Sequence, residues 1–378
     1  MKNVLIIAAE NSAENYGAQV IDEFKKRDSN IQFFGLGGDR FVERGVDVVI
    51  HSRELSVLGL IEVVSSLLKL KRYMNILVKE AIKRKTAAVI LIDYPDFNLR
   101  LAKKIKKLGI PVYYYISPTV WAWRYSRVNL IKKYVDHLFI IFPFEIEIYE
   151  KEKISFTYTG HPLVPMIKVA VKRDVFRKKW AVKKSEVLLS LLPGSRRAEV
   201  EFLLPEMLKA VRMLKEEFEV RIFLLLADNI DRDFVTGFLD HSPVDVQVIE
   251  QKDGYDLINA SDMVITTCGT SNLEIAVIGV PFVAVYRLNK LSYFLGKGFV
   301  KIDNYSIVNI LARQRVITEL IQENFRAENI AKEVRKVLKN DTVRDEMLSQ
   351  FSKIRKIVSQ EKNPPEIIYG KIAADLGL

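Results

Sequence analysis

Cysteine is almost absent from this 378-residue chain. Cys268 stands alone, so neither a disulfide framework nor a cysteine metal cluster can be built from it. Histidine is nearly as scarce. The four, His51, His137, His161 and His241, lie far apart with no pair at helical metal-ligand spacing, which argues against a histidine-built metal site. Long apolar runs are missing as well. The longest stretch of apolar residues with glycine and proline, Ile275 to Tyr286, falls well short of the roughly 20 residues a membrane span needs. At the start, Met1-Lys2-Asn3 leads into the apolar Val4 to Ala9 and then Glu10, too short a core for a signal peptide. These shortages fit a protein of the reducing cytoplasm that uses no metal.

What is present is a foldable chain. Hydrophobic residues make up 49% and charged ones 28%, outside the range of disordered chains. The length suits two domains better than one. A net charge of +11 draws anionic partners, either phosphates or lipid headgroups, or else marks a lysine-rich solvated surface. No nucleic-acid motif of the usual kinds accompanies it, so nucleic acid is not expected.

Short apolar, β-rich runs alternate with helical patterns. Val4 to Ile7, Ile31 to Leu36, Ala87 to Ile92, Val112 to Ile116 and His137 to Ile141 read as strands of one set. A break at His161-Pro162-Leu163-Val164-Pro165 and a basic stretch from Lys168 to Lys184 mark a junction. A second series follows, with strands at Val187 to Leu192, Val220 to Ala227, Val244 to Ile249, Met263 to Thr267 and Pro281 to Tyr286. Runs this continuous are typical of parallel strands covered on both faces. The expected class is α/β, two doubly wound Rossmann-like domains facing across a cleft, over residues 1–165 and 166–345. Residues 346–378 form a charged helical tail.

Two glycine-containing strand-to-helix turns carry the chemistry. In Leu192-Pro193-Gly194-Ser195-Arg196, free N–H groups at a helix start can bind phosphate and Arg196 can add a charge-assisted bond. Glu199 and Glu201 could equally satisfy that helix start. In Thr267-Cys268-Gly269-Thr270-Ser271, small residues let backbone approach a diphosphate, and Glu274 can accept from both ribose hydroxyls. A capping box of Ser271 and Glu274 is the structural alternative. Asp93 and Asp96 flank Pro95 beyond a strand end, one suited to capping and the other, Asp93, to general-base work. Trp121 and Trp123 follow another strand end, as a sugar or acyl platform or as core aromatics. Within Leu55 to Lys79, the stretch from Leu58 to Leu70 is almost too apolar for a surface helix, and Lys69, Lys71 and Arg72 edge it with positive charge. That describes either a helix buried on the sheet or a lipid-facing surface.

With these residues in place, the chain resembles the lipid-A-disaccharide synthases. The resemblance rests on Ile92-Asp93-Tyr94-Pro95-Asp96-Phe97-Asn98, on Ser117-Pro118-Thr119-Val120-Trp121-Ala122-Trp123-Arg124 and on Leu192 to Val200. Phe142-Pro143-Phe144-Glu145, Gly160-His161-Pro162 and Gly269 to Glu274 add to it, in order and spacing over about residues 4 to 350. It implies a GT-B fold with the last helices crossing back onto the first domain, and an inverting, metal- and cofactor-independent glycosyltransferase. That enzyme moves 2,3-diacylglucosamine from UDP to 2,3-diacylglucosamine 1-phosphate, at the cytoplasmic face of the inner membrane.

The resemblance gives Asp93 the base role and places Gly194, Ser195, Arg196, Gly269, Thr270, Ser271, Glu274 and Asn309 on the UDP-sugar. Glu10, Ser12, Ser117 and Trp121 fall on the acceptor side. Leu58, Ile61, Val64, Leu67 and Leu68 become lipid contacts on a membrane surface. A homodimer is compatible with all of this. The chain departs from the family pattern Gly-Glu-x-Ser-Gly-Asp in its first loop, Ala9-Glu10-Asn11-Ser12-Ala13-Glu14, and has Val308 where the family has proline. A UDP-N-acetylglucosamine 2-epimerase and a non-catalytic nucleotide-sugar-binding homologue are the rival readings.

Overall fold

The computed structural model describes residues 2–56, 63–287 and 304–378, with side chains from 56 to 67 left aside. It divides into two compact units, residues 1–162 with 358–378, and residues 163–357.

The first unit is built on a seven-stranded sheet. In chain order its strands are β1 (Lys2–Ala8), β2 (Ile31–Gly37), β3 (Asp47–His51) and β4 (Ala88–Ile92), then β5 (Val112–Tyr115), β6 (His137–Ile140) and β7 (Phe156–Tyr158). Their spatial order is β3-β2-β1-β4-β5-β6-β7, with every neighbouring pair parallel. Parallel strands need a crossover between them, and the intervening helices cover both faces. Val4 to Ile7 and Ala88 to Ile92 are accordingly fully buried.

The second unit repeats the scheme with β8 (Val187–Leu192), β9 (Val220–Leu226), β10 (Val246–Glu250), β11 (Met263–Thr267), β12 (Phe282–Tyr286) and β13 (Glu319–Ile321). The order is β10-β9-β8-β11-β12-β13, again parallel throughout. Both sheets are doubly wound, which agrees with the α/β class read from the sequence.

The C-terminal helices part company. Helix Asp341–Val358 stays with the second unit, where Phe351 stacks on Phe282 of β12 at 5.5 Å. Helix Pro364–Leu376 belongs to the first unit and packs on the helix Asn11–Arg27, with Tyr369 edge-on to Phe24 at 4.9 Å. Tyr113 of β5 also donates to Asp375 at 2.9 Å. The hand-over therefore lies at Val358 rather than near residue 346. Met347, Phe351 and Ile354 are buried, and they hold the intervening turns to the second sheet. No helix among the described residues is long and apolar enough to cross a membrane.

Candidate active site

In a doubly wound sheet the crevice opens beyond the carboxyl ends of the strands where the winding reverses. That point lies between β1 and β4 in the first unit and between β8 and β11 in the second. Glu10 follows β1 and Asp93 follows β4, while the two glycine turns follow β8 and β11. The sequence signals thus fall on the adjacent strand ends that topology favours.

Asp93 and Tyr94 both adopt left-handed backbone, with φ of 49° and 45°. Such conformations are strained for residues with side chains and persist only when neighbours enforce them. Here the Asp93 carbonyl accepts from the Tyr114 hydroxyl and from Asn98 Nδ2, both at 2.6 Å, and its N–H donates to the Tyr115 carbonyl at 3.0 Å. Asn98 is fully buried. The peptide is pinned on three sides, which fixes where the side chain starts.

Burial raises the Asp93 carboxyl from 3.8 to about 6, the Glu10 charge adds to this, and the Tyr94 N–H opposes it. An acid tuned toward neutrality at a strand end is suited to proton abstraction. Neither Asp93 nor Asp96 caps the following helix: the cap position is Tyr94, and Asp96 ion-pairs with Arg124 and Arg127.

Glu10, Asn11 and Ser12 are exposed where β1 leads into the helix Asn11–Arg27, so the expected loop is largely that helix's first turn, in which Ala13 and Glu14 face inward. Glu14, 5% exposed, accepts the Arg40 N–H at 2.8 Å. The glutamate at this position thus reaches the turn after β2.

Ser117 does not face outward. Its hydroxyl, buried after β5, donates to Glu145 Oε1 at 2.5 Å and lies 2.8 Å from the Tyr149 hydroxyl. The other Glu145 oxygen accepts the Ile141 and Phe142 N–H groups at 3.3 and 3.0 Å. One carboxyl therefore staples the loop after β5 to the loop after β6. That fixes the base of the segment that carries Trp121, whose ring meets Phe144 edge-on at 5.1 Å.

Complete burial raises Glu145 from 4.5 to about 7, outweighing the donors that favour the anion. The folded state therefore holds this proton more tightly than the unfolded chain. The resulting stabilisation is full below about 4.5 and is lost as pH rises through about 7. Glu145→Gln can keep the same partners without a charge. Its unfolding midpoint is expected to gain on the parent's as pH rises from 5 to 8, followed by thermal melts; parallel melting at every pH would contradict the shift.

In the second unit, Leu192, Gly194, Ser195, Arg196, Thr267, Gly269, Thr270, Ser271 and Glu274 share one cavity of about 310 Å³. Both glycine turns line it. In the first, Glu199 Oε2 accepts the Ser195 and Arg196 N–H groups at 3.2 and 3.3 Å, and Glu199 Oε1 accepts Arg196 Nη1 at 2.8 Å. A carboxylate thus sits on the donors that suit a phosphate, and the turn is shaped to hold an anion.

The second turn is not a Ser271–Glu274 capping box. Its cap residue is Gly269, the Ser271 hydroxyl pairs with Thr266 Oγ1 at 3.0 Å, and Glu274 accepts from Tyr255 at 2.9 Å. Burial raises the Glu274 carboxyl, and the Tyr255 bond opposes it. Thr267 lines the cavity, and its buried hydroxyl finds no hydrogen-bond partner among the described residues. Burial also pushes the Cys268 thiol up to about 12, so the one cysteine is no nucleophile.

Asn309 stands apart from this cavity. It is fully buried, Nδ2 donates to the Ile317 carbonyl and Glu319 Oε1 at 3.0 and 2.8 Å, and Oδ1 accepts from Val316 and Ile317 at 2.8 and 3.0 Å. With all four positions filled, the side chain folds the 316–319 segment rather than reaching a ligand. Sequence reasoning passed over Tyr255 and Gln251. Gln251 and Tyr255 lie just past β10, on either side of Gly254, where the glycine comes four residues after the strand rather than two as in the other turns.

Of the proposed lipid contacts, Leu58 and Ile61 lie outside the described residues. Val64 and Leu67 belong to the helix Val63–Lys83 only as backbone, and Leu68 is 66% exposed. Among the described residues no cluster of His, Cys, Asp and Glu could hold a metal ion.

Comparison with known proteins places this geometry. The model of the lipid-A-disaccharide synthetase family matches residues 4–370. A lipid-A-disaccharide synthase of Myxococcus xanthus is 37% identical over 353 residues, covering 93% of this chain and 92% of the relative. One from Trichlorobacter lovleyi is 38% identical over 347 residues, covering 90% and 88%.

Among solved structures, the UDP-GlcNAc 2-epimerase of Neisseria meningitidis bound to UDP-GlcNAc aligns with a TM-score of 0.65 at 12% identity, over 99% of this chain and all of that one. MurG of Acinetobacter baumannii aligns at 0.60 and 13% identity, with 99% and 100% covered. These distant likenesses show the GT-B fold alone. The whole-length match and the identity to curated relatives show more: the chain belongs to the lipid-A-disaccharide synthase family.

Proposed function

We propose that this chain is an inverting glycosyltransferase that moves 2,3-diacylglucosamine from its UDP derivative to 2,3-diacylglucosamine 1-phosphate. The observation that carries the reading is whole-length family membership. It is supported by an anion-shaped cavity in one unit and a carboxyl of raised pKa at the switch point of the other.

The acceptor 6-hydroxyl gives its proton to Asp93 as its oxygen bonds to the donor anomeric carbon. The bond from that carbon to the diphosphate breaks, and its electron pair leaves with UDP. Attack from the face opposite the leaving group inverts the centre and gives the β-1,6 disaccharide 1-phosphate. Gly194, Ser195, Arg196 and the Gly269–Ser271 turn bind the diphosphate, with Arg196 exchanging Glu199 for phosphate oxygens. Preorganised charge of this kind commonly supplies the largest part of catalysis. Glu274 and its Tyr255 partner suit the ribose hydroxyls.

The net charge of +11 and exposed Leu68 fit an enzyme that works at the inner face of an anionic membrane, where its lipid substrates reside.

UDP release with donor and lipid monosaccharide acceptor together tests the reading. UDP should appear only when both are present, with the disaccharide as co-product. An epimer formed from UDP-sugar alone would instead make the chain an isomerase, which the fold likeness by itself allows.

A further inference from the structure

Beside Asp93 lies a cationic cluster that the reaction described above does not use. The Trp123 ring carries two guanidinium groups, Arg124 at 4.4 Å and Arg127 at 4.8 Å from its centroid. Both pair with one carboxylate, Asp96, so two positive charges meet one negative charge. Arg127 takes the better share. It is 5% exposed, its Nη2 bonds Asp96 at 2.8 Å, and its Nη1 is buried with no hydrogen-bond partner among the described residues. A buried cation left partly unsatisfied holds its counterion firmly. Arg124 is left with two long contacts to the same carboxylate, at 3.2 and 3.4 Å, and a side chain 53% exposed.

Arg124 is also held in left-handed backbone, with φ of 53°. A long side chain gains nothing from that conformation, which is strained and gathers at ligand sites. The stack on Trp123 fixes the plane of the guanidinium. A planar, pre-oriented fork with its ion pair only half made is a receptor for a second anion, and phosphate oxygens match its geometry. Its position relates it to the chemistry. Asp96 lies in the first turn of the helix Pro95–Lys106, three residues beyond Asp93 in the chain, so the guanidinium is tied to the same segment that carries the base.

We propose that Arg124, seated on Trp123 and backed by Arg127, binds the phosphate of the acceptor and thereby selects a 1-phosphorylated amino sugar over its unphosphorylated form. This rests on the reading of Asp93 as the acceptor-side base. It adds the group that fixes which end of the acceptor approaches that base: a phosphate on Arg124 leaves the opposite end of the sugar ring for Asp93.

The test uses the intact chain in two arms. Glucosamine 1-phosphate and glucosamine are titrated against tryptophan fluorescence, since Trp123 reports directly on the guanidinium above it. Only the phosphate should change the signal, and Arg124→Gln should weaken that response about tenfold or more. In the transfer assay, Arg124→Gln should raise KM for the phosphorylated lipid acceptor by a similar factor, while kcat and the KM for the unphosphorylated acceptor stay put. Arg124→Lys should recover part of the loss, a point charge replacing a fork. Equal losses with both acceptors would make Arg124 a support for its loop and overturn the proposal, as would a parent protein blind to glucosamine 1-phosphate. If no UDP is released with any acceptor yet the fluorescence arm holds, the transferase reading fails and the anion site stands.

Discussion

Asp93→Asn is expected to lower turnover by about a hundred- to ten-thousand-fold, the range typical of a lost general base, with UDP affinity unchanged. The amide is close to isosteric and can keep the Tyr94 N–H contact, but it cannot take the acceptor proton. In the parent protein only the ionised carboxylate can act. Since burial and Glu10 raise its pKa to about 6, kcat/KM should climb as pH rises through about 6 and then level off. The Asp93→Asn variant should lack that limb.

Stability must move the other way. An acid whose folded pKa lies above its unfolded value stabilises the fold while protonated, and loses that contribution as pH rises from about 4 to about 6. At neutral pH the parent therefore carries a desolvated charge that the amide variant lacks, and Asp93→Asn should melt no lower than the parent. An inactive protein that is no less stable is the signature of a functional residue. Near-parent turnover would remove Asp93 from the mechanism, and a large drop in melting temperature would recast it as a structural group.

The sheet order was largely legible because its inner strands announce themselves. Val4 to Ile7, Ala88 to Ile92 and Leu188 to Leu192 are continuous apolar runs but for Ser190, and a parallel sheet covered on both faces demands such runs. The strands that escaped, Asp47–His51, Phe156–Tyr158 and Glu319–Ile321, all lie at sheet edges. With one open side they bury less and carry mixed sequences.

The site was legible to a similar depth. Asp93 and the two turns could be picked out because a strand end, a proline and a glycine punctuate the chain there. Which way a polar side chain turns could not be read. Ser117 and Asn309 look like ligand contacts by position, yet one is consumed by Glu145 and the other by the 316–319 backbone. Arg124 was legible only as the end of the Ser117–Arg124 motif; that it and Arg127 share one carboxylate could not be read, since Asp96 comes from a separate segment.

The two glycine turns, alike in sequence, should separate on substitution. Gly194 sits at φ of 116°, and a Cβ there would lie 2.4 Å from Glu199 Oε2. Gly194→Ala must therefore strain its backbone and drive out the carboxylate that organises Ser195 and Arg196. A cost of about 1–3 kcal/mol is expected, a loss of several degrees in melting temperature. The disordered turn should also lose UDP affinity by about tenfold or more, since charge-assisted bonds from Arg196 and the turn N–H groups depend on it.

Gly269 is different. Its φ of −178° is ordinary extended backbone, and nothing lies within 4 Å of a Cβ built there. Gly269→Ala should melt within a few degrees of the parent, the small cost of alanine at a helix cap. The side chain of Gly269 is nonetheless missing where a diphosphate would press against the turn, so UDP affinity should fall about tenfold there too. Calorimetric titration with UDP beside thermal melts reads both variants. Loss of UDP in both with loss of stability in one alone puts the ligand on both strand ends. Full UDP affinity in Gly269→Ala would confine the diphosphate to the turn after β8.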